Sequence, residues 1–273
     1  MTTNLLDQPA LTEPSGKDQA WRFATTRKYR TDGLQPVQDI ADPTLQELVH
    51  RSFFLKDLAG HAILAGNQVA TPFHLDEASR DCGLQLKPYT ASVQDFQVLG
   101  GAKFQALNTG HAGAGILLEV PDNVELIKPV FLIHWEGRGM SFPQVRVKVG
   151  THAKLQLVEV YLSSSGDEGF NIATTQVQAG AGSHVSRIVV RNWNPKTTAV
   201  HMEHLSADRD SFLRSINLNI GGGTLRQESV ISAEGQGADV RLHSLAIAGK
   251  DQEFDQRTLQ AHEAPGCRSD LLF

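Results

Sequence analysis

His262 and Cys267 place an imidazole and a thiol on either side of the turn Glu263-Ala-Pro-Gly266. Such a pair can form a nucleophile with its base, or part of a soft metal site. These two residues are the metal candidates of the chain, and the competing reading makes Cys267 a small apolar residue turned into a corner. His201-Met-Glu-His204, with Asp208 and Asp210 close by, is a second group of metal-ligand types. On a strand, however, the two histidines point to opposite faces and cannot share one ion without a bend. His201-x-Glu203 also opens the zinc deaminase pattern, but that pattern needs Pro-Cys-x-x-Cys, and Pro265-Gly-Cys267-Arg-Ser-Asp does not supply it. Asp167, Glu168, Glu203, Asp208 and Asp210 are the residue types that cleave polysaccharides. That chemistry requires two carboxylates about 5–10 Å apart in a groove, one of them with a raised pKa. Trp21, Phe23 and Tyr29 lie among Arg22, Arg27, Lys28 and Arg30, a mixture that can stack bases. It reads equally as a helix that buries its aromatics and shows its charges to solvent. The glycine corners at Gly150, Gly180, Gly221 and Gly235 lack the Gly-x-x-x-x-Gly-Lys-Ser/Thr form of a phosphate loop and read as tight turns. No catalytic or cofactor-binding residue follows from these patterns.

The elements that would carry these residues change character along the chain. Residues 1–112 form a mixed, partly helical N-terminal region. Leu45, Leu48, Val49 and Phe53 fall on one face of a helix over 43–54, with Asp42 and Pro43 as its cap and first turn. Residues 61–69 read as a strand, a turn at Gly66-Asn67 and a return, and 75–80 as a helical turn. Residues 113–273 read as β. Strand-like runs cover 115–120, 130–135, 145–149, 154–161, 172–177, 185–191, 212–220, 225–231 and 240–247, most of them alternating apolar and polar residues. Glycine-containing corners separate these runs, and no amphipathic helix lies between them. Short strands between turns leave a sandwich, an antiparallel barrel or a β-solenoid. The weakly repeated corner-then-strand unit gives the solenoid a slight edge.

Composition narrows the function classes. With 273 residues, one or two domains are expected. Hydrophobic residues make up 40% and charged residues 20%, which supports a folded core. Lys and Arg number 25 against 30 Asp and Glu, and a net charge of −5 argues against nucleic acid as a partner. No apolar run approaches the ~20 residues of a membrane span, so no membrane partner is expected. The start of the sequence has no signal-peptide pattern, and two cysteines fit a reducing compartment, so the cytoplasm is the expected address. The last residues, Ser269-Asp-Leu-Leu-Phe273, form an apolar run whose end would expose strand edges. The expectation is a truncated chain, or one that a partner covers.

Several segments, taken in order, resemble one family. Trp21-Arg22-Phe23 with Thr25 resembles the W-R-Y-T element near the start of SufD-type proteins. Ala106-Leu-Asn-Thr-Gly110, Gly115-Ile-Leu-Leu-Glu-Val-Pro121 and Lys128-Pro-Val-Phe-Leu-Ile133 are similar to their next passage, and residues 155–161, Asn171 and Gly180-Ala-Gly182 to the one after. His262-Glu-Ala-Pro-Gly-Cys267-Arg-Ser-Asp-Leu-Leu272 is similar to the H-x-A-P-x-C-x-S-D-L-L signature. The resemblance runs from about Ser15 to the last residue. It implies a mainly β protein, a right-handed parallel β-helix preceded by a small α/β N-terminal domain. It further implies a non-catalytic scaffold in iron–sulfur cluster assembly, paired through its β-helix with a SufB-like subunit and served by a SufC-like ABC ATPase. No cofactor is then held firmly, and a cluster is present only transiently in the complex. The family continues past the signature with further coils, a Cys-x-His-Gly segment and a helical domain that docks the ATPase. Those parts have no counterpart in this sequence, so their ligand residues and the ATPase contact do not carry over. The absence of an upstream Cys-x-x-Cys and the form of the signature lean to SufD rather than SufB. The competing function is a polysaccharide-active β-solenoid enzyme.

Overall fold

A computed structural model describes residues 13–37, 57–70, 73–90, 96–164, 166 and 168–273. The helix expected over 43–54 and Asp167 lie outside the described residues. The early part contains β1 (Gly60–Ala65), β2 (Gln68–Val69), β3 (His74–Leu75), a short helix Glu77–Asp81, β4 (Gln85–Thr90) and a helix Ala102–His111. Then come β5 (Ala114–Val120), β6 (Val130–Glu136), β7 (Gly139–Ser141), β8 (Gln144–Val149), β9 (Lys154–Ser163) and β10 (Gly169–Ala179). They are followed by β11 (His184–Asn192), β12 (Thr198–Ala207), β13 (Phe212–Asn219), β14 (Thr224–Ala233), β15 (Asp239–Ala246), β16 (Glu253–His262) and β17 (Arg268–Leu272).

Successive long strands alternate between two sheets. One sheet runs β17-β15-β13-β11-β9-β6-β1-β2 and the other β16-β14-β12-β10-β8-β5-β4. Every pairing from β5 to β17 is parallel, so the chain winds as a β-solenoid of about five turns. Antiparallel pairing is confined to the start, where β2 and β3 flank β1 and β4 lies against β5. These strands cover edges that would otherwise stay open. The two sheets thus reach back across residue 113: β1 pairs in parallel with β6, and β4 closes the second sheet.

The winding rests on one repeated corner. Asn123, His152, Gly182, Asp210, Gly237 and Gly266 all have positive φ, between 55° and 76°. Each of the first five donates its backbone N–H to a carbonyl of the next turn, from Thr151, Ala181, Arg209, Gln236 and Pro265 at 2.8–3.2 Å. The left-handed conformation disfavours side chains with a Cβ. At Gly182 an added Cβ would also lie 2.3 Å from the His152 ring.

Between the sheets the interior divides lengthwise. Nearest this corner it is aliphatic: Leu155, Leu157, Val185, Leu213, Val240 and Leu242 face Val147, Val177, Leu205 and Ile231, all buried. Each contributes about 1.5–3 kcal/mol of burial. Toward the opposite corner the inward positions turn polar. Outside, the β8–β16 sheet is covered by the helix Ala102–His111 and by two 3-10 turns, Gln19–Trp21 and Thr26–Tyr29, over a core of Trp21, Phe104, Met140, Phe170, Val200 and Met202. Asn108 docks that helix. Its amide donates to the carbonyls of Pro143 (3.1 Å) and Ile172 (2.6 Å), and its oxygen accepts from Gln144 (2.8 Å) and Thr174 (2.9 Å). The expected helix around Trp21 is replaced by the two short turns. Trp21 and Tyr29 are buried as expected, but Phe23 is 87% exposed, because neither turn is long enough to bring all three rings to one face.

Candidate functional site

The polar half of the interior is built by strand parity. On β11, Arg187 and Arg191 share the inward face with Val185 and Val189. On β9 the inward residues include Glu159 and Tyr161, on β12 His201 and Glu203, on β13 Ser215, Asn217 and Asn219, and on β6 His134 and Glu136. Every one of these side chains is buried. Parity alone did not single out the two arginines, since Ile188 and Val190 make the other face of the same strand apolar too.

Two connected networks fill this chamber. Arg187 Nε donates to Glu159 Oε1 at 2.6 Å, and its Nη1 donates to Glu203 Oε2 at 2.6 Å and Ser215 Oγ at 3.1 Å. The other Glu203 oxygen accepts from Ser229 at 2.6 Å and Gln227 at 3.3 Å. Beside it, Arg191 Nη1 donates to Asn217 and Asn219 at 3.0 and 3.1 Å, and its Nε to His201 Nδ1 at 3.0 Å. Arginine has no acceptor, so His201 Nδ1 must be the bare nitrogen and Nε2 carries the proton. Nε2 then donates to Asn171 Oδ1 at 2.6 Å, and the Asn171 amide donates to Glu136 Oε2 at 2.6 Å. Ser141 donates to the same oxygen at 2.5 Å. An aromatic cluster sits against both networks: Tyr161 stacks on His134 at 4.3 Å and packs against His201 at 4.6 Å and Trp193 at 5.7 Å.

Burial and charge fix the protonation states. Burial opposes the charge of Arg187, but Glu159 and Glu203 outweigh it and hold the guanidinium protonated above its ordinary range. Burial likewise opposes Glu203, yet Arg187 and Arg191 pull its pKa below the usual carboxylate value. Burial, then Arg191, pushes His201 well down, so the ring is neutral. Burial lowers His134 to about 4 and raises Glu136 to about 7. The chamber therefore locks one guanidinium, that of Arg187, between two carboxylates, while Arg191 is held by the neutral groups of His201, Asn217 and Asn219. Such buried pairs cost desolvation, and their best-attested role is to specify register.

The candidate residues fall in different places. His201 and His204 lie on opposite faces of β12, as strand geometry requires. His201 is interior, whereas His204 stacks on Phe96 at 6.0 Å and approaches Ser232 Oγ at 3.3 Å on the outer face. Glu203 is inside the ion-pair network, while Glu168, Asp208 and Asp210 are exposed. His262 ends β16 and is exposed. Cys267 is half-buried against the aliphatic core, with Sγ 3.3 Å from the Gly235 carbonyl and 3.7 Å from that of Ala233. Among the described residues no group of three or more His, Cys, Asp or Glu side chains is arranged to hold a metal ion. No helix among them is long and apolar enough to cross a membrane. Sequence reading passed over Arg187, Arg191, His134 and Glu136 as site residues. The available signal was a charged or polar residue at inward parity in an otherwise apolar strand.

Comparison with known proteins places the chain. A family model described as SUF system FeS cluster assembly, SufBD core domain, matches residues 131–273, from β6 to the last strand. An iron-sulfur cluster assembly SufBD family protein of Mycobacterium leprae is 21% identical over 267 residues, covering 98% of this chain and 60% of the relative. A SufBD family protein of Mycobacterium tuberculosis is 25% identical over 271 residues, covering 98% of this chain and 59% of the relative. The iron-sulfur cluster assembly protein SufB of Bacillus subtilis is 25% identical over 178 residues, covering 62% and 37%. The chain spans about 60% of the length of the curated mycobacterial relatives it matches. With over half its residues in the matched core and that core folded as a parallel solenoid, the chain belongs to the SufBD family of iron–sulfur cluster assembly proteins.

Proposed function

We propose that this chain is a SufD-type scaffold subunit built on a β-helix. It acts in the cytoplasm beside a SufB-like subunit and a SufC-like ATPase, and the nascent iron–sulfur cluster is cargo of the complex. The observation that carries the reading is the coincidence of the family match, residues 131–273, with the solenoid turns from β6 to β17. The chamber supports a structural role for the interior. Its carboxylates Glu159 and Glu203 are fully buried and bound to Arg187, with no open face to offer a substrate. Among the described residues the polysaccharide reading has less support, since Glu203 is locked inside with Arg187 and Asp208 and Asp210 lie on a solvent-exposed turn.

Co-purification tests the proposal. The protein, co-expressed with SufB-like and SufC-like subunits, is expected to elute with both as one complex. Elution apart from both overturns the scaffold reading, and association with a second copy of itself alone overturns the pairing with SufB.

A further inference from the structure

Four buried polar atoms around Tyr161 reach no protein partner. Both ring nitrogens of His134 are unpaired, although the residue is only 3% exposed. Glu136 Oε1 and Trp193 Nε1 are buried and unpaired as well. These atoms share one region. His134 and Trp193 both pack on Tyr161, at 4.3 and 5.7 Å between ring centroids. Glu136 joins them through Asn171 and His201. A buried polar group left unpaired costs about 1–3 kcal/mol, so several in one volume call for a partner the chain itself does not supply.

The unpaired atoms define that partner's chemistry. Trp193 offers only a donor, Glu136 Oε1 seeks a donor as a carboxylate, and a neutral His134 ring presents one donor and one acceptor. An anion would satisfy the donors but face Glu136, Glu159 and Glu203. A cation would suit Glu136 but meet Arg187 and Arg191. A small neutral molecule that both donates and accepts fits the whole set, and a buried water with two to four polar partners is the general solution. We propose that the polar half of the solenoid interior is a water-binding chamber in which buried water bridges His134, Glu136 and Trp193 around Tyr161. The inference is independent of the assembly role.

A high-resolution crystal structure of the protein tests it. Solvent density is expected within about 2.7–3.2 Å of a His134 ring nitrogen and of Glu136 Oε1. Absence of density there, or direct pairing of these side chains with one another, overturns the proposal. The variant His134→Phe keeps the stack on Tyr161 and removes both nitrogens. With its fold verified by circular dichroism, it is expected to lose at least one long-lived water by oxygen-17 relaxation dispersion. An unchanged count overturns the bridging role of His134. Should the variant not fold, the density around the unmodified His134 and Glu136 decides alone.

Discussion

Glu136 has one carboxylate oxygen held by Ser141 and Asn171 and the other unpaired, and burial raises its pKa to about 7 from an ordinary 4.5. The consequence for stability has a definite sign. Below about pH 4.5 both folded and unfolded chains carry the proton. Between there and about pH 7 the unfolded chain ionises first, so stability falls as pH rises. Above that window the folded chain bears the full cost of a buried charge, up to about 3 kcal/mol by the conversion of pKa to free energy. Glu136→Gln keeps the acceptor oxygen and cannot ionise. Its stability relative to the natural protein, measured by urea unfolding, is therefore expected to climb from pH 4.5 to pH 8. A difference that stays flat with pH would mean that Glu136 is solvated like a surface carboxylate. Glu203 shows the opposite outcome for the same residue type, since Arg187 and Arg191 hold it ionised. Residue identity alone could not separate these two glutamates, because the separation comes from partners the fold supplies: Arg187 on the facing sheet reaches Glu203, whereas Glu136 meets only the neutral Ser141 and Asn171.

The repeated corner carries a stability claim of its own. Gly182 has φ +65°, and a Cβ there would crowd the His152 ring of the turn before. Gly182→Ala is expected to cost about 1–2 kcal/mol from the left-handed backbone alone. Gly16→Ala, with open space around it, is expected to stay within about 0.5 kcal/mol. Equal unfolding midpoints for the two variants would show that the corner relaxes freely. How well sequence revealed the strands follows from the same architecture. The run over 154–161 was legible because β9 has one buried and one partly exposed face, so its burial alternates. The strand β12 was not, because the outer cover buries Val200 and Met202 while the interior buries His201 and Glu203, which erases the alternation. The strand β16 was missed for the opposite reason, since Glu253, Asp255, Gln256 and Arg257 leave almost no apolar pattern to read. The corner glycines were legible as turns, but His152 and Asp210 occupy the same conformation without a glycine to announce it.

Over the whole molecule, a solenoid that touches only its neighbouring turns is stabilised turn by turn, so long-range ties must come from segments laid across several of them. The N-terminal cover is such a tie, and Arg226 clasps it. The guanidinium lies 3.7 Å from the Trp21 ring centroid, donates to the Ala20 carbonyl at 2.9 Å, and pairs with Glu228 at 2.7 Å and with Asp255 of the next turn. Glu228 in turn accepts from the backbone of Leu99 at 2.6 Å and Gly101 at 3.0 Å. The crossing needs Gly100, where a Cβ would lie 2.7 Å from that of Ala20 and 2.9 Å from Arg226. Arg257 adds a second donor to Ala20 at 2.7 Å, and Glu253 accepts from the Thr25 backbone at 2.7 Å. Replacing Arg226 by Met keeps the aliphatic stem but strands Glu228 beneath the cover, a change of about 3–5 kcal/mol for a buried pair broken on one side. Because β9 and β11 touch neither Arg226 nor the segments it holds in any of these contacts, the loss should be local. Hydrogen exchange in Arg226→Met is expected to speed up in residues 19–29 and 99–101 while the β9 and β11 amides keep their protection. If instead both regions lose protection together, the cover and the coils unfold as one unit, and the turn-by-turn account of this molecule fails.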